Sequence, residues 1–244
     1  MRLEVLGSAG SWPEYGTPSS GYVVEHSDTR VVLDLGFGTV LRLSSPESVD
    51  AVVVSHRHPD HCADVLALFH LWGYGPVERL GVPLIAPVSA IEALSTFLGA
   101  APGGRFFDVF SPEPVTDGSV RTIGSLTLRF VAVDHSVPTF GVHVEAGGRS
   151  LFYTGDTGPA GEWWTRVPPC DLVLSEATWQ GDGAGGDHHL TAKEAGTIAS
   201  SIGAGRLVVT HVTPGLDPVR SVAEAQTTFS GEVVHALPGL TIEV

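Results

Sequence analysis

The stretch 55-SHRHPDHC-62 sets His56, His58, Asp60 and His61 within six residues, directly after the apolar run 51-AVVV-54. Alternate residues of an extended segment share a side, so His56 and His58 are expected to grip one cation. Asp60 and His61 fall at the start of a helix predicted from Pro59 and Asp60 to about Phe69, and are expected to reach a second. Mixed nitrogen and oxygen donors suit Zn²⁺, Fe or Mn.

Distant partners of the same types stand at the ends of other predicted strands. His135 follows 126-LTLRFVAV-133, Asp156 sits in 154-TGDTG-158 after 149-RSLFYT-154, and His211 ends 206-RLVVTH-211. Metal sites are commonly built on loops held by a rigid sheet. Taken singly, His135 or His211 reads as an ordinary core or surface histidine; beside the motif they complete a count. His56, His58 and His135 fill one site, and Asp60, His61 and His211 fill another. Asp156 is left to bridge, because a carboxylate has two oxygens to share.

The remaining strands are read at 2-RLEVL-6, 21-GYVVEH-26, 30-RVVLDL-35, 83-PLIA-86, 140-FGVHVE-145, 171-DLVLSE-176, 232-EVVHA-236 and 240-LTIEV-244. A period-two hairpin is expected over 119–133 around Gly124. Helices are predicted over 88–98, from Thr191 to about Ser201, and from Asp217-Pro218. Glu194, three residues after Thr191, fits a capping box. The Gly-Pro clusters 99-GAAPGG-104 and 181-GDGAGG-186 read as loops. Strands interleaved with helices make an α/β or α+β domain, and two halves of similar grammar suggest a sandwich of sheets with helices outside.

The 244 residues suit one domain, 1–244, with one sizeable core. Thirteen Lys and Arg against 27 Asp and Glu give a net charge of -14, with no basic run. Long nucleic acid is bound largely by neutralising phosphates, so this balance argues against it. No apolar stretch approaches a membrane span and the start does not read as a secretory signal. Two cysteines, Cys62 and Cys170, make no disulfide framework. A cytoplasmic location without a membrane partner is expected.

The pattern His-x-His-x-Asp-His, then a distant His, Gly-Asp-Thr-Gly and a final Thr-His resembles the metallo-β-lactamase fold superfamily over nearly the whole chain. The resemblance implies a four-layer αββα sandwich with two metals at one edge of the sheets. The start 6-LGSAGSWPEYGTPSSGYVVE-25, with 175-SEATW-179 and 189-HLTAKEAG-196, resembles the ribonuclease Z and phosphodiesterase branch. Within it the chain is most similar to bacterial atypical class II cyclic-nucleotide phosphodiesterases. An aspartate at Asp156, where the commonest zinc β-lactamases carry cysteine, favours phosphodiesterase chemistry over lactam cleavage. The basic arm by which ribonuclease Z enzymes clamp tRNA has no counterpart here.

The resemblance implies two divalent ions, Zn²⁺ first with Mn²⁺ or Fe²⁺ as alternatives. Cations lower the pKa of bound water to about 7, so the expected reaction is attack by hydroxide on a small phosphodiester of the 3′,5′-cyclic AMP type. An ester, thioester or lactone, or an RNA end, is the alternative substrate. His189, matched by His-Leu-Thr, is assigned as the proton donor to the leaving oxygen, with Asp60 also in the catalytic set. Glu176 is expected to orient His189. His188 reads as an exposed loop residue. Ser19 and Ser20 are expected near the phosphate. Trp179, with Trp72 and Tyr74, is a candidate for stacking on a base. Relatives in this branch are often dimers, so a homodimer is expected.

Overall fold

A computed structural model describes residues 1–76, 78–182 and 186–244; residues 183–185 of the expected 181–186 loop lie outside them. Strands β1 (Arg2–Gly7), β2 (Gly21–His26) and β3 (Thr29–Leu35) form an antiparallel meander. Then follow β4 (Ala51–Val53), helix α1 (Pro59–Tyr74), β5 (Val82–Ala86), α2 (Val88–Phe97), α3 (Arg105–Val109) and β6 (Phe110–Pro114). The second half contains β7 (Val120–Ile123), β8 (Leu126–Ala132), β9 (Phe140–Ala146), β10 (Arg149–Tyr153), β11 (Leu172–Glu176) and α4 (Ala192–Ile202). It closes with β12 (Arg206–Thr210), α5 (Pro218–Ala225), β13 (Glu232–His235) and β14 (Thr241–Glu243).

Two seven-stranded sheets result, ordered β14-β1-β2-β3-β4-β5-β6 and β13-β12-β11-β10-β9-β8-β7. Their facing sides bury Val31, Leu33, Val53, Val142, Val144, Leu172 and Val208 in one central cluster. The alternate residues point the other way. Val32 and Val52 pack with Val65, Leu68 and Trp72 of α1, while Val173, Leu207 and Val209 pack with Ala195 and Ile198 of α4. Covering both faces explains why runs such as 31–33, 51–53 and 207–209 are apolar at successive positions rather than at alternate ones. This is the expected αββα sandwich.

Strand direction fixes where the site forms. β3, β4, β5 and β6 run parallel in one sheet, and β10, β11, β12 and β13 in the other. Two antiparallel pairings return β8 to the direction of β10. The segments after β4, β8, β10, β11 and β12 therefore emerge on one edge, where ligands of open α/β sheets generally bind.

Three elements differ from the sequence expectation, one of them the short helix α3, which forms where no element was predicted. α1 continues past Phe69 to Tyr74, because Phe69 and Trp72 carry its buried stripe one turn further. Trp72 is thereby a core residue packed against Phe110 at 5.7 Å between ring centroids, not a base-stacking one. Tyr74, though exposed, stands about 20 Å from Asp60 along the helix. The segment 110-FSPEP-114 forms strand β6 despite two prolines, which is tolerated because β6 is the edge of its sheet. The capping box at Thr191 and Glu194 is present in full. No helix among the described residues is long and apolar enough to cross a membrane.

Candidate metal centre

His56 and His58 follow β4 on the short turn into α1, and His58 is the residue capping that helix. Their rings meet, His56 Nε2 lying 2.9 Å from His58 Nδ1, and His135 Nε2 lies 3.2 Å from the same atom. With Asp156 they form one group of ligand atoms, all within 4.8 Å of one another. Asp60, His61, Asp156 and His211 form a second group of the same kind. There His211 Nε2 lies 3.2 Å from Asp60 Oδ2 and 3.4 Å from Asp156 Oδ2, and His61 Nε2 lies 3.1 Å from Asp156 Oδ1. Asp156 is the member common to both. All seven residues singled out in the sequence are thus brought together.

The opposite nitrogen of four histidines is tied down. Asp34 Oδ2 accepts from His61 Nδ1 at 2.7 Å, and the carbonyl of His188 accepts from His135 Nδ1 at 2.9 Å. Ser55 Oγ donates to Asp34 at 2.7 Å and so accepts from His56 Nδ1 at 3.0 Å. Thr178 Oγ1 lies 2.8 Å from His211 Nδ1. Each Nε2 is left as the ring nitrogen facing the cluster, which is how proteins orient imidazole toward a metal.

The donor set fits two cations. Nitrogens sharing one tetrahedral zinc at about 2.0–2.1 Å stand about 3.4 Å apart, close to the spacings above. Among the described residues, His61 Nε2 and Asp156 Oδ1 are buried without a hydrogen-bond partner, a cost that a cation between them would remove. Among the side chains themselves, burial pushes Asp156 up, but His211 and His61 outweigh it and hold the carboxylate well below its usual range. Burial likewise pushes His61 down, yet Asp156, Asp60 and Asp34 hold it well above the ordinary histidine value. His56 is driven well below that value by burial and by His61.

Close approach shapes the rim. The backbone N–H of Ser11 donates to Asp60 Oδ2 at 2.9 Å. A side chain at Gly36 would collide with the Asp60 carbonyl, and one at Gly10 with His211. His211 itself sits at φ +53°, a left-handed conformation that histidine adopts more readily than most residues.

His189 lies beside the second group, its ring stacked on His211 at 5.6 Å between centroids. Its Nδ1 is 3.1 Å from Glu176 Oε1, the pairing expected from the sequence. Burial lowers the His189 pKa, but the hydrogen bond and charge of Glu176 prevail and raise it to about 9. His188 is exposed and contributes its carbonyl. Trp179 is partly buried, with its backbone N–H bonded to the Leu190 carbonyl next to His189. Ser19 and Ser20 differ from expectation. Both are wholly buried, with hydroxyls that have no partner among the described residues, because the chain turns inward to pair Ser19 with Phe37 and Ser20 with Gly36. They underlie the rim and present no surface to a substrate.

Asp34 is the residue that sequence reading passed over. It accepts from Ser55 N–H at 2.6 Å, Tyr153 OH at 2.6 Å, Ser55 Oγ and His61. The available signal was a carboxylate inside the apolar strand 30-RVVLDL-35, which has to be buried and therefore partnered. Asp34→Asn keeps the shape and tolerates the φ of +57° found there, but sets an NH₂ or a weaker acceptor among four donors. A loss of about 3 kcal/mol is expected, or about 6–12 °C in Tm. A thermal melt within 2 °C of the parent, give or take roughly a degree, would contradict that role.

A family profile described as the beta-lactamase superfamily domain matches residues 17–212. An uncharacterized protein of Mycobacterium tuberculosis is 32% identical over 253 residues, which cover 100% of this chain and 92% of that one. The probable metallo-hydrolase YhfI of Bacillus subtilis is 29% identical over 254 residues and 100% of both chains. The crystal structure of YhfI superposes with a TM-score of 0.88 at 27% identity, covering 99% of each chain. A ribonuclease Z of Myxococcus xanthus is 26% identical over 303 residues, covering 100% of this chain and 98% of that one.

Proposed function

The chain belongs to the β-lactamase superfamily of metallo-hydrolases, and from that premise we propose that it is a binuclear phosphodiesterase acting on cyclic nucleotides of the 3′,5′-cyclic AMP type. His56, His58 and His135 would hold one divalent cation, Asp60, His61 and His211 the other, and Asp156 would serve both. Two cations there supply Lewis acidity, which readies water for attack and neutralises charge gathering on the phosphoryl oxygens. Zn²⁺ suits the donors first, with Mn²⁺ or Fe²⁺ as alternatives.

The observation that carries the reading is His189 held by Glu176 against the second group of ligands. Glu176 takes Nδ1 and leaves Nε2 as the ring nitrogen available to a substrate. With its pKa raised to about 9, His189 carries a proton at neutral pH. A protonated donor matters most where the leaving oxygen is a poor one, as the ribose alkoxide of a cyclic nucleotide is, and least where a thiolate departs. The charge of -14 weighs against gripping a long RNA.

A panel of 3′,5′-cyclic AMP, a thioester, a lactam and a tRNA precursor tests the reading. Turnover of the cyclic nucleotide well above the others is expected. Preference for the thioester or lactam would move the enzyme to carbonyl substrates. Salt-sensitive processing of the RNA would move it to a nuclease.

Metal uptake should also depend on pH. Ligands must be deprotonated to bind, and His61 holds its proton above the ordinary value. Raising the pH from 6 to 8 should therefore tighten zinc binding, with proton release on binding at neutral pH. An affinity that is flat over this range, by calorimetry in two buffers, would contradict it.

A further inference from the structure

Thr178 stands between the second ligand group and the proton donor, and the residue is 1% exposed. Its Oγ1 has three polar neighbours: Glu176 Oε2 at 2.5 Å, His211 Nδ1 at 2.8 Å and His189 Nδ1 at 3.3 Å. A hydroxyl has one proton to give and two lone pairs. Glu176 is surrounded by donors, since Thr157 N–H, Leu190 N–H and His189 all point at its oxygens. The hydroxyl proton therefore goes to Glu176. Oγ1 can then only accept from His211, so Nδ1 of His211 carries the hydrogen and Nε2 carries the lone pair facing Asp60 and Asp156. The segment is pinned in turn, because Thr213 donates its hydroxyl to the Thr178 carbonyl at 2.8 Å and Ala177 N–H bonds the Thr210 carbonyl at 2.8 Å.

We propose that Thr178 is a positioning residue: its hydroxyl fixes the ring nitrogen that His211 offers to the second cation and links that ligand to the Glu176–His189 pair. The proposal rests on the assignment of His211 as a ligand and His189 as a proton donor. Valine has the same shape, but it leaves the His211 N–H buried without an acceptor, and the ring is then free to turn or to adopt the other tautomer. The first group, held by Ser55 and the His188 carbonyl, does not touch Thr178.

The test compares the full-length chain with Thr178→Val and Thr178→Ser by zinc titration calorimetry, with far-UV circular dichroism and apo melting curves beside it. The parent should bind two equivalents. Thr178→Val should retain one equivalent at parental affinity and bind the other about 10–100-fold more weakly, and Thr178→Ser should restore both. Should the valine variant not fold, Thr178→Ala removes the hydroxyl without adding crowding. A folded hydroxyl-free variant that binds both equivalents as the parent does would overturn the proposal while leaving the metal centre standing. A fall in apo Tm shared by the valine and serine variants, with binding unchanged, would make Thr178 a structural residue only. A parent that takes up no metal would remove the proposal together with the functional reading beneath it.

Discussion

Asp156→Ala is expected to lower kcat/KM for a phosphodiester by at least about 10³-fold, or about 4 kcal/mol of transition-state stabilisation, and to reduce bound metal below two equivalents. The size follows from position. Asp156 is 2% exposed, and its oxygens lie 3.1 Å from His61, 3.4 Å from His211 and 3.8 Å from His56. It is the member shared by both ligand groups, so its removal takes an anionic donor from each. Two divalent cations side by side would then face one another with less charge between them. Their mutual repulsion is large at short range in a buried site. Metal content by mass spectrometry and steady-state kinetics on one preparation decide the matter. A variant that keeps two equivalents and more than about a tenth of the parental rate would be incompatible with a bridging carboxylate.

His189→Ala should show a different pattern, a loss that depends on the leaving group. With 3′,5′-cyclic AMP the rate should drop about 10²–10⁴-fold, the range typical of a general acid. With bis-(p-nitrophenyl) phosphate the drop should be small, because the nitrophenolate departs without a proton. Equal losses on both substrates would end the assignment. The pH profile adds a sign. Glu176 raises the His189 pKa to about 9, so the donor is protonated below that value and loses its proton as pH climbs through it. The cyclic nucleotide rate should fall on that alkaline limb. Glu176→Gln removes the charge that raises it, so the limb should move to lower pH, whereas an unmoved limb would detach Glu176 from the proton.

The seven residues gathered into the two donor groups were legible in the sequence because metal chemistry restricts residue types severely. A cluster such as 55-SHRHPDHC-62 has few other uses, and its partners all stand where a strand ends. The sandwich was legible for a related reason: Val32 and Val52 are as apolar as their neighbours Val31 and Val53, which only a sheet covered on both faces demands. What the sequence hid depends on tertiary contact. Asp34 looks like a residue of β3 until β4 and β10 bring Ser55 and Tyr153 against it. Thr178 gains meaning only when β11 and β12 lie parallel and set His211 beside it. Ser19 and Ser20 misled in the opposite sense. Small hydroxylated residues near glycines suit a phosphate contact, but here the backbone pairing with Gly36 and Phe37 turns them inward. Edge strand β6 was missed because its prolines, forbidding in a central strand, are harmless where no neighbour needs their N–H.

Turnover of 3′,5′-cyclic AMP as zinc is returned stepwise to chelator-stripped protein tests the binuclear phosphodiesterase most directly. Formation of the nucleoside monophosphate should be absent without metal, rise as zinc is added and level off at two equivalents per chain. Two equivalents taken up with no phosphodiester cleaved, or turnover that survives complete removal of the metal, would contradict it.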